Sequence, residues 1–391
     1  MKTVTLPVAY MPLVDAAPLI VAQDLGFAEA EGLSLDLIAA PSWSSVRDML
    51  AFGRVDAAHM LSPVPVAMAL GLGGVRTALS AVSVTSVNGN VIGVGRPLED
   101  KLRSAGHDFS FDDAAHAGAA LASVIDDRLT VGVPFPFSMH VELLHYWFEN
   151  TPLAGLDVTI RVVPPPLMAQ AMAAGEIDAF CVGEPWGSVT VESGAGALLL
   201  PAKSIWAFAP EKVLAVRSDW AETEPHLLGR LMRATFKAGR WLSLPESRTA
   251  AATLLSRKEY LDVSSELIDR ALSGRLTISS NGDQRQVDDL LEFNAGAANF
   301  PWRSQAKWIG ARMAQRSGFD VGEAMRAAGS VFRSDLYRQE LSQTTSDMPG
   351  ASEKLEGSLA HATAVASETG RLILHPDRFF DGRIFDPSAK S

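Results

Sequence analysis

A two-lobed α/β fold is predicted from three features of the 391-residue chain. A strand–helix–strand unit occurs twice, two later segments are placed to cross between lobes, and the C-terminal third has helical periodicity. The first copy of the repeat reads GLSLDLIAAPSWSSVRDMLAFGRVDAAHML (32–61) and the second GLDVTIRVVPPPLMAQAMAAGEIDAFCVG (155–183). Each opens on Gly-Leu and continues with apolar residues at period two, Leu33, Leu35 and Leu37 against Leu156, Val158 and Ile160. Such alternation predicts a strand. Proline follows at the strand-to-helix turn, Pro41 against Pro164 to Pro166, and a short helix then stops at Gly53 or Gly175, as glycine past a helix end does. Each copy resumes with Gly-x-Val/Ile-Asp-Ala into a second apolar run, completing a unit of βαβ size.

The other elements follow from the same rules. MKTVTLPVAYMPLVDAAP at the start reads as a first strand entering a loop, because Thr3, Thr5 and Pro7 interrupt any apolar leader. ALSAVSVTSVNGNVIGVG (78–95) is placed to carry the chain into a second lobe and PEKVLAVRSDW (210–220) to carry it back. Two crossings make lobe one discontinuous, residues 1–85 plus 215–391, with lobe two at 86–214 and a hinge between them. EPHLLGRLMRATFKAGRWLSL (224–244) and SEKLEGSLAHATAVASETGRLIL (352–374) have the period of amphipathic helices, so the C-terminal region is expected to be helical.

Composition narrows the function. The net charge of −11 gives no long-range attraction for nucleic acid or an anionic membrane. Cys181 is the single cysteine, which rules out an intrachain disulfide and a CxxC zinc site. No G-x-S-x-G elbow, phosphate loop or H-E-x-x-H pair occurs. His140 and His145 are five apart on an expected helix and face different sides, so that pair is no metal site. No catalytic residue, cofactor or metal is expected. A cytoplasmic location is expected from the interrupted N-terminus, with no spanning segment of some 18 apolar residues.

What remains is a set of hydrogen-bond donors at loop and helix-start positions. In open parallel sheets ligands bind outside the carboxyl ends of strands, where loops lead into helices. Trp43 follows Ser42, a good N-cap, and offers an indole N–H. Asn88 and Asn90 flank Gly89, as a turn residue or as an amide donor at the cleft. Ser138 and His140 open a helix after VPFPF, and Gly183 with Glu184 leaves a strand at its carboxyl end, where Pro185 blocks further pairing. There Glu184 is either an anchor for a neighbouring cation or a ligand. Lys212 lies at the expected hinge. Apart from Glu184 these groups donate hydrogen bonds or carry positive charge, which suits a small oxyanion that only accepts them. A nearby carboxylate would repel it unless paired with the lysine.

The segments APSWSSVRDMLAFG, DAAHMLSPVP, VNGNVI, CVGEPW, PEKVL, NFPWRS, FRSDLYR and RFFDGRIFDP run through nearly the whole chain. Together they resemble the nitrate- and bicarbonate-binding solute-binding proteins, the NrtA/CmpA-like group. That resemblance implies a two-lobed, periplasmic-binding-protein-like fold of type II that closes around its ligand, with no enzymatic activity. It implies nitrate contacts from Trp43, Asn90 and Lys212, with a contribution from the Phe135 to His140 region, where FPFSMH stands in place of a glycine-rich segment. A lysine at position 212, where bicarbonate binders are expected to carry an acid and a bound cation, favours nitrate or nitrite. Within the group, the lack of a recognisable export signal in the N-terminal segment points to a cytoplasmic member, which resembles the NasS-type nitrate and nitrite sensor. That implies a NasT-type RNA-binding antiterminator as partner. A nitrate, bicarbonate or sulfonate ABC transporter component is the alternative.

Overall fold

The computed structural model describes residues 3–126, 128–344 and 347–389. It contains a six-stranded and a five-stranded mixed sheet. Strands β1 (Val4–Tyr10), β2 (Leu33–Ala39), β3 (Ala57–Leu61), β4 (Leu79–Asn88), β5 (Asn90–Gly95), β6 (Arg128–Val133), β7 (Asp157–Val162), β8 (Ala179–Gly183), β9 (Gly196–Pro201) and β10 (Pro210–Arg217) form nearly all of both. Sheet one has the order β4-β10-β3-β1-β2, with the short strand Leu291–Glu292 added beside β4, and sheet two the order β7-β6-β8-β5-β9. The repeat holds: β2 and β3 flank helix Trp43–Ala51, and β7 and β8 flank helix Met168–Ala173. In both sheets the first strand of the repeat is the edge strand, parallel to its neighbour (β2 to β1, β7 to β6). The central strands β3 and β8 are buried at every position, which is why they read as continuous apolar runs.

Parallel and antiparallel strands combine to put one set of ends in register. β10 runs antiparallel to β3, with Lys212 opposite Leu61. The start of β10 therefore lies at the carboxyl ends of β1, β2 and β3. β5 runs antiparallel to β8 with Asn90 opposite Gly183, so its start lies at the carboxyl ends of β6 and β8.

The crossings differ slightly from the expected boundaries. The chain changes sheet at Asn88 and Gly89, with φ of 61° and 93°. A Cβ at Gly89 would also stand 2.8 Å from Leu291 Cδ1, so glycine is required there. The return falls between Pro201 and Pro210. Residues 86–88 and 210–214, assigned to lobe two from sequence, thus continue the β4–β10 pairing of sheet one, in which Pro210 faces Val87. Nor does the region after 215 stay with lobe one. The ribbon of Arg275–Thr277 and Gln284–Gln286 leads into contacts with the second lobe, where Ile278 O accepts from Leu198 N at 2.8 Å and Arg103 pairs with Asp283 at 3.0 Å.

The C-terminal region is helical only in part. Helix Pro225–Leu242 forms as expected, and Arg303–Ser317, Val321–Val331 and Ser334–Leu341 follow. Residues 352–374, expected as an amphipathic helix, form an extended strap with one short hairpin. Tertiary bonds override the periodicity. Ser304 Oγ donates to the buried Glu356, Lys354 pairs with Glu356 and Asp377, and Glu356 exchanges backbone bonds with Phe385. Gly357, at φ 87°, sits where a Cβ would meet the Phe379 ring at 2.5 Å. Phe379 in turn stacks on Trp206 and Trp308.

Candidate functional site

The aligned strand ends bring together most of the residues expected from sequence. Trp43 opens its helix after β2, where Ser42 Oγ caps Ser45 N at 3.2 Å, and the indole is 1% exposed. At the equivalent turn of the second copy Leu167 is 49% exposed, so the two turns differ in environment as well as in chemistry. Lys212 is fully buried at the start of β10, with Nζ 5.5 Å from the Trp43 ring centroid. Asn90, at the start of β5, donates through Nδ2 to Glu211 Oε2 at 2.6 Å. His140 lies in the first turn of helix Met139–Glu149, with Nδ1 3.5 Å from Glu211 Oε1.

Ser138 caps its helix, as its position predicts, but its O–H is not free to donate to a ligand as also expected. Its Oγ accepts from Val141 N and donates to Phe135 O at 2.8 Å. Both functions of the hydroxyl are spent on the backbone, and its effect is to orient the turn that carries His140. Gly183 is packed too closely for a side chain: a Cβ would lie 2.8 Å from Leu13 Cδ2 and 3.4 Å from Asn90 Oδ1. Glu184 anchors no neighbouring cation among the described residues. Its Oε2 accepts from Ser188 N at 3.2 Å, and its carbonyl accepts from Val14 N at 3.0 Å. Burial, only partly offset by the Ser188 bonds, pushes the Glu184 carboxyl up to about 7.

Three site residues went unrecognised in the sequence. Asp15, in the turn after β1, accepts from Lys212 Nζ at 2.6 Å. Glu211 accepts from the same ammonium at 2.8 Å. His59, within β3, has Nε2 3.0 Å from Asp15 Oδ1, and its ring lies 5.6 Å from Trp43. The signal for Asp15 and His59 was a lone polar residue inside an apolar run, LVDAAPLIV and DAAHML. For Glu211 it was adjacency to Lys212.

This set corrects the electrostatic expectation. Lys212 is not a free cation awaiting an anion, because two carboxylates already balance it. Burial alone would lower its pKa, but Asp15 and Glu211 together hold it above the ordinary lysine value. Burial also pushes Asp15 up, and Lys212 and His59 outweigh it and hold that carboxyl well below the usual range. For Glu211 burial wins and the pKa rises. His59 and His140 are both lowered by burial, His140 strongly, with Lys212 adding to the effect. With neutral imidazoles and both acids ionised, the Asp15–Lys212–Glu211 group carries one net negative charge.

Several polar atoms in this buried cluster make no hydrogen bond among the described residues: Trp43 Nε1, His59 Nδ1, both nitrogens of His140, Asn90 Oδ1 and Glu184 Oε1. Leaving such groups unpaired costs about 1–3 kcal/mol each, so their concentration here marks a place built for a polar ligand. Contacts from both lobes close over it. Trp186 Nε1 donates to Pro12 O at 2.9 Å, and Arg47 lies over the Phe135 ring. With Trp43, Asn90, His140 and Lys212 each 1% exposed or less, a solute reaches them only when the lobes part.

The NMT1-like family profile matches residues 1–256. The chain belongs to the NMT1-like family. The nitrate/nitrite binding protein NrtA of Synechocystis is 29% identical over 398 residues, covering 99% of this chain and 83% of that protein. The nitrate import ATP-binding protein NrtC of Synechocystis is 33% identical over 345 residues, covering 86% of this chain. The chain spans 50% of the length of that NrtC. The crystal structure of the periplasmic nitrate-binding protein NrtA from Synechocystis PCC 6803 superposes with a TM-score of 0.82 at 26% identity, covering 99% of this chain and 96% of that one. The fold of this NMT1-like protein is therefore the two-lobed, periplasmic-binding-protein-like α/β fold. Among its described residues no helix is long and apolar enough to cross a membrane.

Proposed function

We propose that the chain is a non-enzymatic binding protein that encloses nitrate or nitrite between its two sheets. The observation that carries the proposal is the burial of the unpaired Trp43 Nε1 and His140 nitrogens at the junction of the lobes, beside the Lys212 ammonium, which has one donor more than its bonds to Asp15 and Glu211 use. These donors match an oxyanion that accepts hydrogen bonds only. Asn90 reaches the same junction and holds Glu211 in place; Ser138 sets the His140 turn; Gly183 and Glu184 form the opposing wall. The similarity to NrtA supports the choice of anion. Closure is driven by tighter binding to the closed arrangement than to the open one.

Two outputs are compatible with such closure. In one, the chain is a cytoplasmic sensor of the NasS type that controls a NasT-type antiterminator. The names of its curated relatives favour the other output, delivery of the anion to an ABC importer. Calorimetry on ligand-stripped protein with nitrate, nitrite, bicarbonate and an alkanesulfonate tests the ligand. Tight binding of bicarbonate or the sulfonate, with no heat from nitrate or nitrite, removes the proposal. Pull-down of an antiterminator that responds to nitrate supports the sensor; an interaction indifferent to nitrate excludes the switch.

A further inference from the structure

A second polar cluster lies in lobe two, sharing no residue with the cleft. After helix Arg96–Ser104 the chain forms a loop that leads into helix Ala114–Val124. His107 and Asp108 lie on this loop, and His116 in the first turn of the second helix. One ligating atom from each residue lies within 4.8 Å of the others, and the two imidazole rings are 5.0 Å apart. We propose that His107, Asp108 and His116 bind a divalent transition ion of the Zn²⁺ type.

The decisive residue is His107. It is only 7% exposed, yet neither ring nitrogen has a hydrogen-bond partner among the described residues. A buried neutral imidazole normally pairs at least one of them. Packing against Phe109, at 4.9 Å between rings, accounts for the burial but leaves the nitrogens unsatisfied. The ionisable groups nearby are Asp108, His116 and Arg103, and Arg103 is committed to Glu99, Asp283 and the face of Phe109.

The loop is held before any ion arrives. Arg285 Nε donates to Phe109 O at 2.8 Å and Nη2 to Asp108 O at 3.1 Å. Phe109 and Phe111 are buried in left-handed backbone, at φ 51° and 70°. Asp108 Oδ1 accepts from Ser110 N. Zinc bonds of about 2.0–2.1 Å place tetrahedral ligands roughly 3.3 Å apart. The exposed Asp108 and His116 side chains can swing inward by that difference around the fixed His107. Two imidazoles, one carboxylate and an open position suit Zn²⁺ or Co²⁺ and not Ca²⁺ or Mg²⁺, which prefer oxygen shells. The ion would pin the loop to the helix. Sequence spacing gave no sign of it, because positions 107 and 116 meet only through the turn between two elements.

The test uses tag-free protein stripped with chelator. Zn²⁺ is titrated by calorimetry and Co²⁺ by visible absorption. The expected result is one equivalent bound, a cobalt d–d band, and a thermal midpoint that rises with zinc concentration. His116→Ala, at an exposed position, is expected to weaken zinc at least tenfold while leaving the metal-free melting temperature unchanged. His107→Gln is expected to weaken it similarly. Zinc binding that His116→Ala leaves intact, or that His140→Gln abolishes instead, overturns the assignment, as does no binding at 100-fold excess of ion.

Discussion

Anion binding at the Lys212 site is expected to take up a proton, and so to weaken as pH rises. Asp15, Glu211 and Lys212 sum to one negative charge before any ligand enters. A second negative charge about 4 Å away costs about 4 kcal/mol at an effective dielectric near 20. A proton on the site cancels that cost. The groups facing His140 are Glu211 and Lys212 on β10 and Asp15 after β1, and those facing His59 are Asp15 and Lys212. In the ligand-free protein burial keeps both imidazoles neutral at pH 7. An anion beside them favours the protonated form, raising the pKa by up to about 3, since 1.36 kcal/mol corresponds to one pKa unit. The bound state therefore holds more protons than the free state between the two pKa values. Within that window affinity falls up to about tenfold per pH unit as pH rises, and it is flat on either side. The proton belongs to the coupled His59–Asp15–Lys212–Glu211–His140 set and not to one residue. Calorimetry with nitrate at pH 6, 7 and 8, in Tris and in triethanolamine, measures it. Buffer-dependent heat near one proton per anion, reduced in His140→Gln, is the expected outcome. Identical heats in both buffers with a constant Kd would refute the charge argument while leaving nitrate binding itself intact.

Three other outcomes are expected. Trp43→Phe keeps the aromatic wall and removes the unpaired indole N–H; nitrate affinity should fall about 10- to 100-fold, as for loss of one bond to a charged group, and an unchanged Kd would make Trp43 packing only. Lys212→Met leaves two buried carboxylates facing each other, so denaturant unfolding should show a loss of about 3–5 kcal/mol, with no nitrate heat from the fraction that still folds. At Gly196→Ala the new Cβ would meet Val94 O at 2.2 Å. Backbone cannot yield as a side chain does, so the thermal midpoint should drop by about 1–4 °C, from about 1–3 kcal/mol of overpacking, without direct effect on the cleft.

Much of the fold was legible in the chain because it rests on local periodicity. The alternation in 33–37 and 156–160, the Ser42 cap and the stops at Gly53 and Gly175 each report their element within a few residues. The paired units then implied two sheets, and the rule about carboxyl ends pointed to Trp43, His140 and Glu184. Lys212 and Asn90 were reached through the crossings, whose strand register puts them beside Leu61 and Gly183. The strap at 352–374 was misread because Lys354 and Glu356 bond to Ser304, Asp377 and Phe385, which lie far along the chain or on other elements, and these bonds hold the segment extended.

The chain alone determined the strand–helix–strand repeat, the donors at its turns and the absence of common catalytic signatures. Only the tertiary structure decided the charge of the site. Asp15 and Lys212 are 197 residues apart and Asn90 and Glu211 121 apart, so no local pattern could reveal that the one lysine is already shared between two acids. Periodicity is a property of neighbours in sequence, whereas net charge in a buried cluster is a property of neighbours in space.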